Sequence, residues 1–262
     1  MNFLSWNCRG LGNPRAVRCL GDVLRTQKYD IVFLIETLSL DVRINELCRK
    51  FGYVFHFTVD SVCRSGDLAL MRKFNVLCDV VVHFSNFIDA HIFKQGVADL
   101  RLTGFYGYPD RSRRRESWSL IRSPSSLSSL PWCIVGDFND LLSESDKKGL
   151  VAHPQSLLDG FKNIISDSAL TEVDLNGGSY TWEKSKGKSN WVREKLDRAF
   201  GCNEWWKKFP SCKLSLLQTV VSNHNHIFLD LVSTEFSMAK FRFKFENTWL
   251  KEQLFHDEVV NF

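Results

Sequence analysis

The sequence predicts a single α/β domain in which helices pack outside mixed β-sheets. Three observations lead there. Buried-strand runs alternate with amphipathic helical stripes over the first fifty residues. The middle is rich in short apolar and aromatic strands with few helix-length stretches between them. A Ser-rich link at 123–131 divides the chain nearly in half, yet neither half shows a closed pattern of its own, so one domain is expected. At 262 residues and 44% hydrophobic composition the chain is long enough to bury a sizeable core.

The elements follow in order. "NFLSWN" is short, apolar and aromatic and reads as a strand. Asn13-Pro14 reads as an N-cap followed by Pro at the first helical position, and Val17, Leu20, Val23 and Leu24 continue a helical stripe to about Thr26. "IVFLI" at 31–35 is a fully apolar strand. Leu40, Ile44, Leu47 and Cys48 make a second stripe, with Gly52 placed to cap it. "YVFHF", "DLALM", "VLCDVVVHF", "AHIFK" and "DLRLTGFYG" read as strands. A helix is expected from Arg114 to Arg122, then the Ser-rich link, then the buried strand "WCIVGDF". Leu157, Leu158, Phe161, Ile164 and Ile165 mark another helix, and "KLDRAF", "KLSLLQTVV" and "HIFLDL" complete the strands. No internal repeat of fixed short period is visible.

Composition narrows the function classes. Lys and Arg number 34 against 30 Asp and Glu, a net charge of +4, which is weak evidence for nucleic acid. Arg111, Arg113, Arg114 and Arg115 stand together, and Lys184, Lys186 and Lys188 alternate in a Gly/Ser loop. Such runs read either as a solvated face or as a phosphate-binding surface. None of the eight cysteines forms a C-x-x-C pair, so free thiols are expected rather than a zinc site or a disulfide framework. No signal peptide is visible and no apolar run approaches the ~18 residues a membrane span needs. An intracellular protein with no membrane or disulfide partner is the expectation.

The informative feature is where polar residues interrupt apolar strands. Asn7 ends "FLSW", Glu36 ends "IVFLI", Asp137 and Asn139 follow "WCIV", Asp197 follows Leu196, and His224 precedes "HIFLDL". An ionised carboxylate against a buried strand is costly unless it is paired or binds a cation. One such residue reads as an ordinary strand end; the set predicts strands converging on a polar site at one sheet edge. Asp137 and Asn139 would project from the same face if their strand continues. Carboxylate and amide oxygens suit a hard cation such as Mg²⁺ or Mn²⁺.

"SWNCRGLGNP", "IVFLIET", "CRSGDLAL", "GFYGYPDRSRRRESW", "VGDFNDLL", "YTWEKS", "EKLDRAF" and "SNHNHIFLDL" occur in an order that resembles the endonuclease/exonuclease/phosphatase family. That family includes AP endonucleases and DNase I. Within it the motifs are most similar to the endonuclease domain of plant LINE-type non-LTR retrotransposons, over nearly all of the chain to about Leu231. The resemblance implies a four-layer α/β/β/α sandwich over residues 1–235, with 236–262 as a C-terminal extension. "FRFKFENTWL" in that extension resembles the segment leading toward a reverse transcriptase region, which would be absent from a truncated copy. The implied activity is Mg²⁺-dependent hydrolysis of DNA phosphodiesters (Mn²⁺ substituting) that leaves a 3′ hydroxyl, with a nuclear location for a working enzyme.

The resemblance also implies roles for residues. Glu36 would be the principal metal ligand, with Asn7 beside it. Asp137, helped by Asn139, would orient or deprotonate the attacking water, and Tyr106 would contact the phosphate. Asp197 would hold His224. Thr181 and Trp182 would lie on a loop near the substrate, and Arg111, Arg113 and Arg114 would face DNA. Two departures point to reduced activity. Asp67 replaces the second glycine of a usual pair, with strain expected there. Asn223 stands where the family pattern Ser-Asp-His-x-Pro has aspartate, and His226 takes the proline position. The spacing of His224 and His226 leaves open a second reading, a histidine metal pair.

Overall fold

The structure is a computed structural model that describes residues 1–60, 67–125, 129–219 and 221–231. Expectations for Cys63, for Gly66, for part of the Ser-rich link and for the C-terminal extension, including "FRFKFENTWL", lie outside the described residues.

The chain begins with β1 (Asn2–Asn7), buried along nearly its whole length. α1 (Pro14–Thr26) follows, with Asn13 Oδ1 accepting the Arg15 N–H at 2.9 Å. β2 (Ile31–Ile35) is buried at every position. α2 (Asp41–Lys50) ends ahead of Gly52, whose φ of +76° is the left-handed stop that glycine permits. Leu40 falls just before this helix and is exposed, so the buried stripe is Ile44, Leu47 and Cys48 alone. β3 (Phe55–Val59), β4 (Leu68–Arg72), β5 (Leu77–Phe84), β6 (Phe87–Lys94) and β7 (Val97–Tyr106) build the strand-rich middle. The β6–β7 hairpin turns on Gln95 and Gly96, both at positive φ.

A 3₁₀ turn (Arg111–Arg113) leads into α3 (Arg114–Ser125), which runs on into the Ser-rich link. Then come β8 (Trp132–Asp137), β9 (Lys147–Lys148), α4 (Gln155–Asp167), β10 (Leu170–Glu172), β11 (Leu175–Asn176), β12 (Trp182–Lys184) and β13 (Val192–Glu194). The described part closes with β14 (Asp197–Cys202), α5 (Asn203–Lys208), β15 (Lys213–Leu217) and β16 (His226–Asp230).

The strands form a seven-stranded sheet, β11-β15-β16-β1-β2-β4-β3, and a six-stranded sheet, β10-β14-β8-β7-β6-β5. Their facing surfaces share one core: Phe33, Ile35, Leu70 and Ile227 from the first meet Ile88, Leu102, Val135 and Ala199 from the second. The outer face of the first sheet (Leu4, Trp6, Val32, Phe228) packs on α1 and α2 through Leu20, Ile44 and Leu47. The outer face of the second (Phe105, Ile134, Phe200) packs on α3 and α4 through Ile121, Phe161 and Ile164. The order is therefore helix, sheet, sheet, helix, and the described part of the chain is a four-layer α/β/β/α sandwich. Gly104 marks how closely the sheets approach. A Cβ there would lie 2.4 Å from the Phe33 ring, so a larger residue would push the layers apart.

A third small sheet, β12-β13-β9, had no forerunner in the sequence pattern. Its strands are two or three residues long, too short to show a period of two.

Candidate active site

Register brings the polar strand ends together. In the six-stranded sheet Tyr106, Asp137 and Asp197 form one rung across β7, β8 and β14, the last at that edge. In the seven-stranded sheet Asn7 pairs with Ile35, and Glu36 follows directly. The backbone there is strained. Arg9, Glu36, Leu38 and Asn139 all have φ between +45° and +52°, a conformation non-glycine residues hold only where the surroundings impose it. The lacing is visible: the Gly10 N–H donates to the Glu36 carbonyl at 2.8 Å, Leu11 N–H to Thr37 O at 2.8 Å, and Thr37 N–H to Asp67 O at 3.1 Å.

Asn7 is fully buried between the two carboxylates. Its Nδ2 donates to Glu36 Oε1 at 2.9 Å and to Asp137 Oδ2 at 3.0 Å. The Tyr106 hydroxyl donates to the same Glu36 oxygen at 2.7 Å. Burial, then the Glu36 and Asp137 charges, push the Tyr106 pKa up, so the phenol stays protonated and keeps the proton it donates to Glu36. The other Glu36 oxygen faces the Arg9 guanidinium at 3.8 Å. Asn7 Oδ1 is buried and has no hydrogen-bond partner.

On the opposite side His224 bridges two buried aspartates. Nδ1 is 3.0 Å from Asp197 Oδ2 and Nε2 is 3.6 Å from Asp137 Oδ2. Burial alone would lower the imidazole pKa. The Asp197 and Asp137 charges and the Asp197 hydrogen bond outweigh it and raise the value to about 9. Asp137 is pushed the other way from a free carboxylate: burial raises its pKa, Asp197 adds to the rise, and His224, Asn7 and the Asn139 N–H oppose it. Ser222 Oγ fixes the histidine segment, donating to the Asn7 carbonyl at 2.9 Å and accepting the His224 N–H at 3.1 Å. Nothing in the spacing assigned Ser222 that task, although it opens the "SNHNH" motif.

The structure corrects four expectations. The Asp137 strand does not continue. It stops at Asp137, and Asn139 in the left-handed region donates its backbone N–H to Asp137 Oδ1 and its Nδ2 to the Gly107 carbonyl. The two side chains meet through this turn, not through strand alternation. Thr181 is fully buried and its hydroxyl is occupied by two backbone amides, so it does not reach a substrate; Trp182 beside it is half-buried in β12. Arg114 is buried against Asp140 and His153, with Trp118 Nε1 on the second Asp140 oxygen at 2.8 Å. Arg113 is exposed but pairs with Glu116 and lies over the Tyr108 ring at 3.7 Å. Arg111 and Arg115 of that run are exposed.

His226 lies on the far side of its strand. It is fully buried, stacks on Trp6 with ring centroids 4.3 Å apart, and puts Nδ1 3.4 Å from the Leu217 carbonyl. Among the described residues, the acid and histidine group whose ligand atoms come within 4.8 Å of one another is Asp137, Asp197 and His224, without His226. The histidine-pair reading fails on this geometry. Burial lowers the His226 pKa to about 4. Its unfolded-state value near ~6.5 lies above that, so its contribution to stability is present above pH ~6.5 and is lost as the pH falls toward 4. His226→Ala should leave Mn²⁺ affinity unchanged in a calorimetric titration, while His226→Phe should flatten the acid side of the melting-temperature profile. Loss of metal affinity in His226→Ala would restore the pair.

A divalent cation is the group the donor set would accept. The Asn7 amide oxygen, buried without a hydrogen-bond partner, and the Glu36 carboxylate, which meets the Asn7 Nδ2, are hard oxygen donors of the kind Mg²⁺ or Mn²⁺ takes. Asp137, Asp197 and His224, whose ligand atoms lie within 4.8 Å of one another, are a second group that could hold such an ion.

The sequence profile described as the Endonuclease/Exonuclease/phosphatase family matches residues 4–224. No curated protein matches the sequence. Among solved structures the chain is similar to the endonuclease domain of TRAS1, a telomere-specific non-LTR retrotransposon. The TM-score is 0.66 at 14% identity, over 90% of this chain and 99% of that one. A 3′-5′ exonuclease from Neisseria meningitidis gives 0.65 at 13% identity, over 88% and 99%. An AP endonuclease from Archaeoglobus fulgidus gives 0.64 at 14% identity, over 88% and 98%. At these identities the likeness establishes a shared fold. Among the described residues no helix is long and apolar enough to cross a membrane, and seven cysteines are free.

Proposed function

Since the chain belongs to the endonuclease/exonuclease/phosphatase family, we propose that it is a divalent-metal-dependent phosphodiesterase. Its substrate would be DNA, nicked to leave a 3′ hydroxyl as a retrotransposon-type endonuclease does. The observation that carries this reading is the continuous chain Tyr106–Glu36–Asn7–Asp137–His224–Asp197, six buried or half-buried polar side chains joined across two sheets at one edge.

In this reading water attacks phosphorus in line with the departing 3′ oxygen, the P–O3′ bond breaks, and the 3′ oxygen takes a proton from solvent water to become the hydroxyl. Asp137, held by Asn7 and the Asn139 amide, takes the proton from the water, and its raised pKa suits it to do so near neutrality. His224, charged and oriented by Asp197, donates from Nε2 to the phosphoryl oxygens. The Tyr106 hydroxyl and Arg9 flank the phosphate on the Glu36 side. A cation held by Glu36 and Asn7 would offset charge on the phosphate and the leaving oxygen. Relaxation of supercoiled plasmid to the nicked circle with Mg²⁺ or Mn²⁺ tests the proposal, and a product that fails to prime a polymerase would contradict the 3′-hydroxyl assignment.

DNA contact would rest on surface cations. Arg193 lies over the rings of Tyr180 and Trp191, at 4.9 and 4.7 Å. With Lys148, Leu150 and Ser189, Arg193 and Trp191 line an open cleft of about 270 Å³, a surface suited to phosphate contact and stacking. Replacing Arg111, Arg113 and Arg115 by Ala should flatten the slope of log affinity against log salt by about one unit per lost phosphate contact. Arg114→Ala should instead lower the melting temperature, because it strands the buried Asp140. An unchanged slope would assign the exposed arginines to solvent.

A second reading, a folded remnant without catalysis, is favoured by one observation, the neutral Asn223 in the histidine segment. It predicts no metal binding that depends on Glu36.

A further inference from the structure

Thr181 sits at the root of the β12–β13 hairpin, one residue before β12, with no exposed surface. Its polar groups are all engaged, and they connect three elements. Its Oγ1 accepts the N–H of Leu196 at 3.0 Å and of Asp197 at 2.9 Å. Its N–H donates to the Glu194 carbonyl at 3.0 Å, and its carbonyl accepts the Asn225 N–H at 2.8 Å. Asp197 is the first residue of β14, where ladder pairing begins, and Asn225 follows His224 before β16 begins. Each partner of the imidazole–carboxylate pair thus sits at an end of a strand, and Thr181 is bonded to both ends. On either side the contact continues: Trp182 bridges His224, and the Glu183 N–H donates to the Asn223 carbonyl at 3.0 Å.

We infer that Thr181 is a positioning residue that sets the Asp197 Oδ2 to His224 Nδ1 contact by tying the starts of their two segments to one buried hydroxyl and one carbonyl. The functional part of this inference rests on His224 acting in phosphodiester cleavage; the structural part does not. The physical reason is that the β8–β14 register holds one side of Asp197 opposite Asp137, and Thr181 holds the other. The Asp197 carboxylate ends on the imidazole, and its backbone N–H would be orphaned without the Thr181 oxygen. A misplacement of a few tenths of an ångström is enough to weaken a contact of 3.0 Å and the proton donation that depends on it.

The test compares Thr181→Val, which keeps the shape and loses the acceptor, with Thr181→Ser, which keeps the acceptor. Two readouts are taken. In NMR of the metal-free protein, the wild type and Thr181→Ser should show the downfield Nδ1 proton of His224 bonded to Asp197, and Thr181→Val should lose it. In plasmid nicking, Thr181→Val should lower kcat about tenfold with KM for DNA held within about twofold, Thr181→Ser should stay near wild type, and adding Thr181→Val to Asp197→Ala should cost little more. A downfield proton retained in Thr181→Val, or a Thr181→Ser variant that loses it, overturns the inference. Should Thr181→Val not fold, the Thr181→Ser result decides. If the wild type shows the proton but cleaves no DNA, the proposed function fails while the positioning role is still read from the spectra.

Discussion

Glu36→Ala and Asp137→Ala should each reduce nicking by on the order of 10³-fold, or ~4 kcal/mol of transition-state stabilisation. Circular dichroism should remain that of the wild type. Glu36 is the focus of one half of the site: Oε1 accepts from Asn7 and Tyr106, and Oε2 faces Arg9. In the proposed mechanism its removal takes away the charged ligand of the cation; it also leaves the Tyr106 hydroxyl without its acceptor and Asn7 Nδ2 with Asp137 alone. Asp137 is the focus of the other half, accepting from Asn7 and from the Asn139 N–H while facing His224. In the proposed mechanism removing it takes away the water's base, and it removes one of the charges that raise the His224 pKa. The two variants should differ in a metal titration. Glu36→Ala should abolish tight Mn²⁺ binding, whereas Asp137→Ala should retain much of it, because Asn7 Oδ1 and Glu36 survive. Undiminished cleavage by Glu36→Ala would sink the metal assignment, and equal loss of Mn²⁺ binding in both would move the cation to the Asp137–Asp197–His224 group.

That Glu36, Asp137, Asp197 and His224 meet was legible because each is an expensive residue at the end of an apolar strand. Burial cost is a local property, and the sequence shows it. Connections made by backbone turns are less visible. Asn139 reaches Asp137 only because the strand stops and the chain enters the left-handed region, which no alternation pattern encodes. Arg114 read like its neighbours, since a run of arginines does not reveal which one turns inward; Asp140, 26 residues away, decides that. The sheet β12-β13-β9 was invisible for want of length, and with it the position of Thr181, which the family resemblance placed on a substrate loop and the fold places, buried, on the Asp197 backbone N–H. His226 shows the converse: the two-residue spacing from His224 suggested a pair, but the first ring meets Asp197 and the second packs on Trp6.

Asn223→Asp should raise the nicking rate, on the order of tenfold if ~1.4 kcal/mol of transition-state stabilisation returns. Asn223 is exposed, and its carbonyl, which accepts the Glu183 N–H, is unchanged by the substitution, so the cost to the fold should be small. The new carboxylate would stand next to His224 in sequence and add a negative charge beside the site where the proposed mechanism needs a cation and a protonated imidazole. Both are favoured by it. Exposure tempers the gain, because a solvated charge is screened; the increase should therefore be larger at low ionic strength and shrink as salt is added. Asp67→Gly is the second restoration. Its route to the site is the Asp67 carbonyl on the Thr37 N–H, next to Glu36, and it should add to Asn223→Asp only if relief at that strand start moves Glu36. The rise from Asn223→Asp should vanish in a His224→Gln background if it works through the imidazolium, and persist there if it works through the cation alone. No rise in rate and no gain in Mn²⁺ affinity, at any ionic strength, would show that the neutral residue is not what limits this site.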